Sequence, residues 1–271
     1  MTTETGQLPF REETAEVWGG KLTLRVKVAG AGPALLYLHG AMGLVWDPFL
    51  SRLAENHTVY APEFPGTSPA DVDAVHTIDQ LSDIVLAYEE LVRTLVADGP
   101  LVVVGHDFGG MLGAELAAHF PVLADRLVLI APLGLWREDA PVASLAAAAQ
   151  SEVPGLLFHD PAGEVAQAAL AFPADPEAAV EAAAGMVWAL GSTGKYLWPI
   201  PDRGLGARLH RVRARTLIVW GREDRLVAAS YADDFAGLIE TSEVAIIDGS
   251  GHLPQAERFK ETVARIEEFL R

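Results

Sequence analysis

The stretch VVVGHDFGGM, residues 102–111, decides the fold. Three consecutive valines argue for a strand buried on both faces, and the helical pattern that follows begins at a pair of glycines. Between them lies Gly-x-Asp-x-Gly. In a strand-to-helix turn of this form the flanking small residues leave room for the middle side chain to project from the end of the sheet. Gly105 and Gly109 supply that room, and Asp107 stands at the tip. A carboxylate there also meets the N-terminus of the following helix, whose dipole and free N–H groups favour its ionised form. Alone the pentapeptide is a weak signal, because an aspartate that merely caps a surface helix reads the same way.

Working outward, EVWGGKLTLRVKVAG (16–30) carries a hairpin signal, two glycines between alternating apolar positions. Short apolar runs at 34–40, 57–63, 100–107, 126–132, 215–221 and 242–251 read as buried strands. Helical periodicity fills 78–96, 109–120, 231–239 and 254–270. Strand alternating with helix implies right-handed crossovers and a mostly parallel, doubly wound α/β sheet flanked by helices, with ligands bound beyond the carboxyl ends of the strands. The alternation stops between Leu133 and Leu209, where VASLAAAAQ, EVAQAALAF and PEAAVEAAAGMVWAL read as alanine-rich helices. The expectation is a core of residues 1–132 and 210–271 with a helical cap, 133–209, inserted between two strands.

Partners for Asp107 follow in chain order. Asp224, in WGREDRLV, ends one strand run, and His252, in DGSGHLPQAE, sits on a glycine-rich loop before the final helix. An acid that orients an imidazole, and an imidazole that moves a proton, complete a nucleophile–acid–histidine triad. Glu223 is the alternative acid. In LHGAMGLVW (38–46) a strand ends in His39-Gly40, and the loop can aim the backbone N–H of Ala41 or Met42 at the same point as that of Phe108, forming an oxyanion hole. His39 reads as a loop brace that also borders the substrate pocket. Trp188, Tyr196 and Trp198, at the end of the cap segment, are candidates for an aromatic pocket wall.

Bulk composition narrows the partners. A formal charge of −17 lacks the positive footprint that nucleic acid or an anionic membrane surface requires. Cysteine is absent, so disulfides, thiolate metal sites and cysteine nucleophiles are excluded. No histidine pair has ligand spacing and no dinucleotide fingerprint occurs, so neither metal nor cofactor is expected. The first 18 residues lack a basic start and an apolar run, which gives the expectation of a cytoplasmic protein.

The motifs HGAMG, APEFPGTS, GHDFGG, WGRED and SGHLPQAE together resemble the α/β-hydrolases over nearly the whole chain. Aspartate at the elbow is similar to the epoxide hydrolases and dehalogenases of that fold. That resemblance implies attack of Asp107 on carbon to form an ester, followed by hydrolysis with water activated by His252 and oriented by Asp224. An epoxide hydrolase-like enzyme acting on a small hydrophobic substrate is the leading expectation. Phe108 lacks the ring N–H of the dehalogenases' tryptophan, and the cap holds a single tyrosine where epoxide hydrolases typically have two. The HGAMG loop is closer to serine esterases and carbon–carbon bond hydrolases. A serine-type lineage with Asp in place of the nucleophile is therefore the second expectation, and a non-catalytic ligand-binding protein the third.

Overall fold

The computed structural model describes residues 8–68, 71–96 and 99–271. Of the N-terminal stretch read above, residues 1–7 lie outside the described residues. The strands are β1 (Arg11–Val17), β2 (Leu22–Ala29), β3 (Ala34–Leu38), β4 (Thr58–Pro62), β5 (Leu101–His106), β6 (Arg126–Ile130), β7 (Arg215–Gly221) and β8 (Ser242–Ile247). They form one sheet in the order β1-β2-β4-β3-β5-β6-β7-β8. β1 pairs antiparallel with β2 and β2 with β4, as a hairpin start requires, and every later pairing is parallel. The helices are α1 (Pro48–Leu53), α2 (Leu81–Leu95), α3 (Phe108–His119), α4 (Val153–Leu157), α5 (Glu164–Ala169), α6 (Pro176–Leu197), α7 (Tyr231–Leu238), α8 (Pro254–Glu257) and α9 (Phe259–Leu270).

Both faces of the sheet are covered, which is why its central strands read as continuous apolar runs rather than alternating ones. Val103 faces the core shared with α2 and α3, including Tyr88, Leu91 and Met111. Val102 and Val104 face the opposite core, with Phe49 and Leu50 of α1 and Val263 and Ile266 of α9. Successive residues of β5 thus serve different layers, as the two-residue period of a strand dictates. β5 lies mid-sheet, so its carboxyl end opens between the layers.

Two segments depart from the sequence reading. VASLAAAAQ forms turns rather than a helix. Its backbone is engaged elsewhere: Ala143 N–H donates to Leu226 O at 2.9 Å, and Ser144 O accepts from Ala147 and Ala148. Tertiary bonding outweighs the helix propensity of alanine. The last helix is broken at Arg258, whose φ of −122° and ψ of 49° separate α8 from α9. α1 was not anticipated, although Asp47-Pro48 is an N-cap followed by proline at the first helical position: the Asp47 carboxylate accepts from Leu50 N–H at 2.9 Å.

The elbow is held by close approach. A Cβ on Gly109 would stand 2.1 Å from Leu38 O, and one on Gly105 would stand 2.3 Å from Gly109 O. Both contacts are backbone, so neither relaxes by turning a side chain. Asp107 takes φ 55° and ψ −119°, a strained conformation for a residue with a Cβ. Gly109→Ala is expected to destabilise the protein by about 3 kcal/mol or more, read as a lower urea midpoint. A change under about 1 kcal/mol would contradict the close packing of β3, β5 and α3 at this point.

Candidate active site

Four strand ends converge. β3 delivers the loop His39–Met42, β5 delivers Asp107, β7 is followed by Asp224, and β8 by the loop carrying His252. Asp107 is 3 % exposed, Asp224 7 % and His252 1 %. Three titratable groups are therefore out of water together, and their mutual contacts decide their charge.

His252 Nδ1–H donates to Asp224 Oδ2 at 2.8 Å. The Asp224 carboxylate is saturated: Oδ2 also accepts from Trp220 Nε1–H at 3.1 Å, and Oδ1 accepts from Leu226 and Val227 N–H, each at 2.9 Å. Four donors fix that carboxylate in one orientation, so the imidazole it holds is fixed too. On the other side, His252 Nε2 lies 3.4 Å from Asp107 Oδ1, an ionic contact outside hydrogen-bond geometry. Glu223, the alternative acid, is placed elsewhere: it accepts Ser250 N–H at 2.9 Å and braces the histidine loop.

The two oxygens of Asp107 differ. Oδ2 accepts Ala41 N–H at 2.7 Å, whereas Oδ1 is buried with no hydrogen bond. Phe108 begins α3, so its N–H has no acceptor within the helix. Met42 is half-buried beside the core. Gly40 is required here, because a Cβ on it would stand 2.9 Å from Asp107 Oδ2.

Burial alone would push the His252 pKa down, but Asp224 and Asp107 on either side outweigh it and raise it to about 10. Burial would raise Asp107, and the adjacent His252 outweighs it, leaving the carboxyl below its usual range. The resting pair is thus imidazolium and carboxylate. His106, directly before the elbow, is depressed to about 4, first by burial and then by the charge on His252. It stays neutral and its Nε2 bonds to His252 O at 3.0 Å, bracing the loop.

Further braces escaped the sequence reading. Glu257 accepts Gly251 N–H at 2.6 Å and His159 N–H at 2.9 Å, and His252 N–H donates to Leu157 O at 2.8 Å. The histidine loop is thereby tied to the segment between β6 and β7. Trp220 could have been suspected from its place four residues before Asp224. Glu257 gave no such signal, because it looks like any exposed helix residue.

Beside Asp107 and Ala41 lies a cavity of about 60 Å³. Its wall is mainly Leu133, Val142, Leu145, Leu190, Leu197 and Leu226, with Trp198, Pro199 and Pro201. Among the described residues Ser144 and Thr193 are its hydroxyl residues, and none of those that line it is cationic. Among the four pocket candidates, Trp198 is on this wall, while His39, Trp188 and Tyr196 lie off it. His39 is locked as a brace, its Nδ1–H donating to Gly40 O at 2.7 Å and its Nε2 accepting Phe64 N–H at 2.9 Å. The Tyr196 hydroxyl donates to Ile78 O at 2.7 Å, away from Asp107, and its ring packs on Phe64 and Phe108. Trp188 is 46 % exposed on α6.

Residues 35–266 match the model of the alpha/beta hydrolase family. The chain belongs to that family and is a hydrolase. Over 251 residues it is 24% identical to a pimeloyl-[acyl-carrier protein] methyl ester esterase of Nitrosomonas europaea, spanning 86% of this chain and 93% of that protein. Over 113 residues, 41% of this chain and 40% of that protein, it is 32% identical to the 2-(acetamidomethylene)succinate hydrolase of Mesorhizobium japonicum. The fold is similar to a crystal structure of a meta-cleavage product hydrolase, with a TM-score of 0.74, 18% identity and coverage of 95% of this chain and 98% of that one. Among the described residues no helix is long and apolar enough to cross a membrane, and no group of His, Cys, Asp and Glu could hold a metal ion.

The charge state of His252 sets a pH dependence. Its folded pKa stands above the ordinary 6.5, so its contribution to stability is complete below about pH 6.5 and is lost as pH rises through about 10. Replacing Asp107 with Asn removes one of the two carboxylates, and the His252 imidazole signals in NMR are expected to titrate at lower pH. An unchanged titration would place the charge pairing elsewhere.

Proposed function

We propose that Asp107 is the nucleophile of a two-step hydrolysis at carbon. The observation that carries this reading is the asymmetry of its carboxylate: Oδ2 is held by Ala41 N–H while Oδ1 is unbonded. An oxygen without a hydrogen bond is ready to attack, and its partner already occupies the position of an oxyanion.

In the first step Oδ1 displaces a leaving group from an electrophilic carbon, which departs with the bonding electron pair and leaves an alkyl ester on Asp107. The negative charge of Asp107 disappears at that moment. His252 then keeps only Asp224 as a counter-charge, its pKa falls, and it becomes a base by passing its proton to the alkoxide of an opened epoxide or, after loss of a halide, to solvent. In the second step it takes a proton from water, which attacks the ester carbonyl carbon. The tetrahedral oxyanion forms on Oδ2, where Ala41 N–H and the free N–H of Phe108 stabilise it. Collapse breaks the bond between the Asp107 acyl carbon and the ester oxygen, and His252 returns its proton to the departing alcohol.

The apolar lining of the cavity supports a small, neutral and mainly apolar substrate. With no cationic side chain among the described residues of the wall, a carboxylate-bearing substrate would bring a second buried anion beside Asp107 without compensation. Epoxides and alkyl halides both satisfy this description. Ser144 and Trp198 are the wall's donors for a departing oxygen or halide, since the Thr193 hydroxyl already donates to Ala189 O at 2.8 Å. Residues 133–209, which supply most of that wall, act in this reading as a cap over the strand ends.

The likeness of the HGAMG loop to serine esterases, together with relatives that are an esterase and a succinate-derivative hydrolase, supports a second reading, a serine-type lineage in which Asp has replaced the nucleophile. A carboxylate attacking an ester carbonyl yields an anhydride, so Asp107 would not itself turn over esters. Asp107→Ser is expected to gain measurable hydrolysis of short p-nitrophenyl esters in that case, and none if the site is built for attack on saturated carbon. Single turnover in ¹⁸O-water with a small aryl epoxide or a bromoalkane tests the first reading. It predicts label in Asp107 and none in the first-turnover product; label in product alone contradicts the covalent step.

A further inference from the structure

His252 owes its place to more than Asp224. Its own N–H donates to Leu157 O at 2.8 Å, and the N–H of Gly251, the residue before it, donates to Glu257 Oε2 at 2.6 Å. The other oxygen of that carboxylate, Oε1, accepts from His159 N–H at 2.9 Å and from Asp160 N–H at 3.3 Å. Glu257 therefore holds the histidine loop with one oxygen and residues 159–160 with the other. The two segments meet backbone to backbone: a Cβ on Gly251 would stand 2.7 Å from Leu157 O and 2.8 Å from His159 N. Leu157 and Phe158 are buried, which anchors the end of α4 in the core.

The same end of α4 also reaches the loop of the acid. Arg225, directly after Asp224, donates through Nη1 to Gly155 O at 3.3 Å and to Phe158 O at 3.5 Å. Asp224 and His252 stand on loops that follow different strands, yet they keep a contact of 2.8 Å. One short helix from the segment between β6 and β7 thus touches both loops. Glu257 fastens it to the one that carries the imidazole.

We propose that Glu257 is a positioning residue for His252 and acts jointly with the backbone of residues 157–160, so that the segment between β6 and β7 sets the place of the base as well as the wall of the apolar cavity. This role rests on the reading of Asp107 as nucleophile and His252 as base of the second step. Glu257 is not among the described residues of the cavity wall, so it acts through the loop and not on substrate. Its effect falls on one step. Ester formation needs Asp107 Oδ1 at carbon, and Asp107 is held by the elbow and by Ala41 N–H. Ester hydrolysis needs His252 Nε2 at the attacking water, and a displaced imidazole slows that step.

Two variants cut the connection from opposite sides. Glu257→Gln keeps the shape but has one acceptor oxygen, so its NH₂ meets either Gly251 N–H or His159 N–H, donor against donor. His159→Pro removes an N–H from the other segment, where the preceding Phe158 already has the extended φ of −118° and ψ of 144° that a following proline favours. In single turnover with a small aryl epoxide, hydrolysis of the Asp107 ester is expected to be on the order of tenfold slower in each variant, with ester formation changed less than about threefold. The double variant is expected to be little slower than either single one, because both break the same connection. In the ligand-free protein the imidazole ¹⁵N shifts of His252 are expected to move in both variants, and this readout does not depend on the ester. Shifts moved in a protein whose wild type forms no ester would remove the covalent mechanism and uphold the positioning role. Should one variant not fold, the other carries the test. Unchanged His252 shifts, or equal slowing of both steps, overturns the proposal.

Discussion

The site depends on one buried imidazolium shared by two carboxylates. His252 is almost fully enclosed, and an isolated charge there would shed its proton. Asp224 and Asp107 prevent that, and each does so from a different strand end. Asp224 is in turn fixed by Trp220 Nε1–H and by two backbone N–H groups of the loop after β7. Removing any one partner leaves an uncompensated charge in a dry site, so the strand ends, the loops and the charge pattern form one interdependent unit.

That unit explains why the elbow is built so tightly. Asp107 must leave the line of β5 at a strained φ to meet both Ala41 N–H and His252, and the strain is tolerated because Gly105 and Gly109 let β3, β5 and α3 close around it. The same geometry leaves Oδ1 unbonded. In the proposed mechanism the resting enzyme stores its proton on His252, and formation of the ester removes the charge that holds it there. The base required for the second step is thus produced by the first.

Much of this was legible in the sequence, for physical reasons. Strands buried on both faces show as apolar runs, and the crossover rule then orders them, so the sheet and the convergence of Asp107, Asp224 and His252 follow from local patterns. What stayed hidden is set by tertiary bonding. VASLAAAAQ has helical composition, yet its Ala143 N–H is used by Leu226 O. Tyr196 read as part of an aromatic pocket wall, but its hydroxyl is consumed by Ile78 O, a bond between residues 118 apart in the chain, and its ring packs on Phe64 and Phe108. Glu257 and His106 brace the histidine loop through backbone groups that leave no mark on composition.

In the proposed mechanism Asp107 becomes covalently modified and His252 is needed to release it. The most direct measurement is peptide mapping of His252→Gln after incubation with a small aryl epoxide or bromoalkane. One stable adduct is expected, with the mass of the alkyl group and located on Asp107. An unmodified Asp107 in a protein that still consumes either substrate would contradict it.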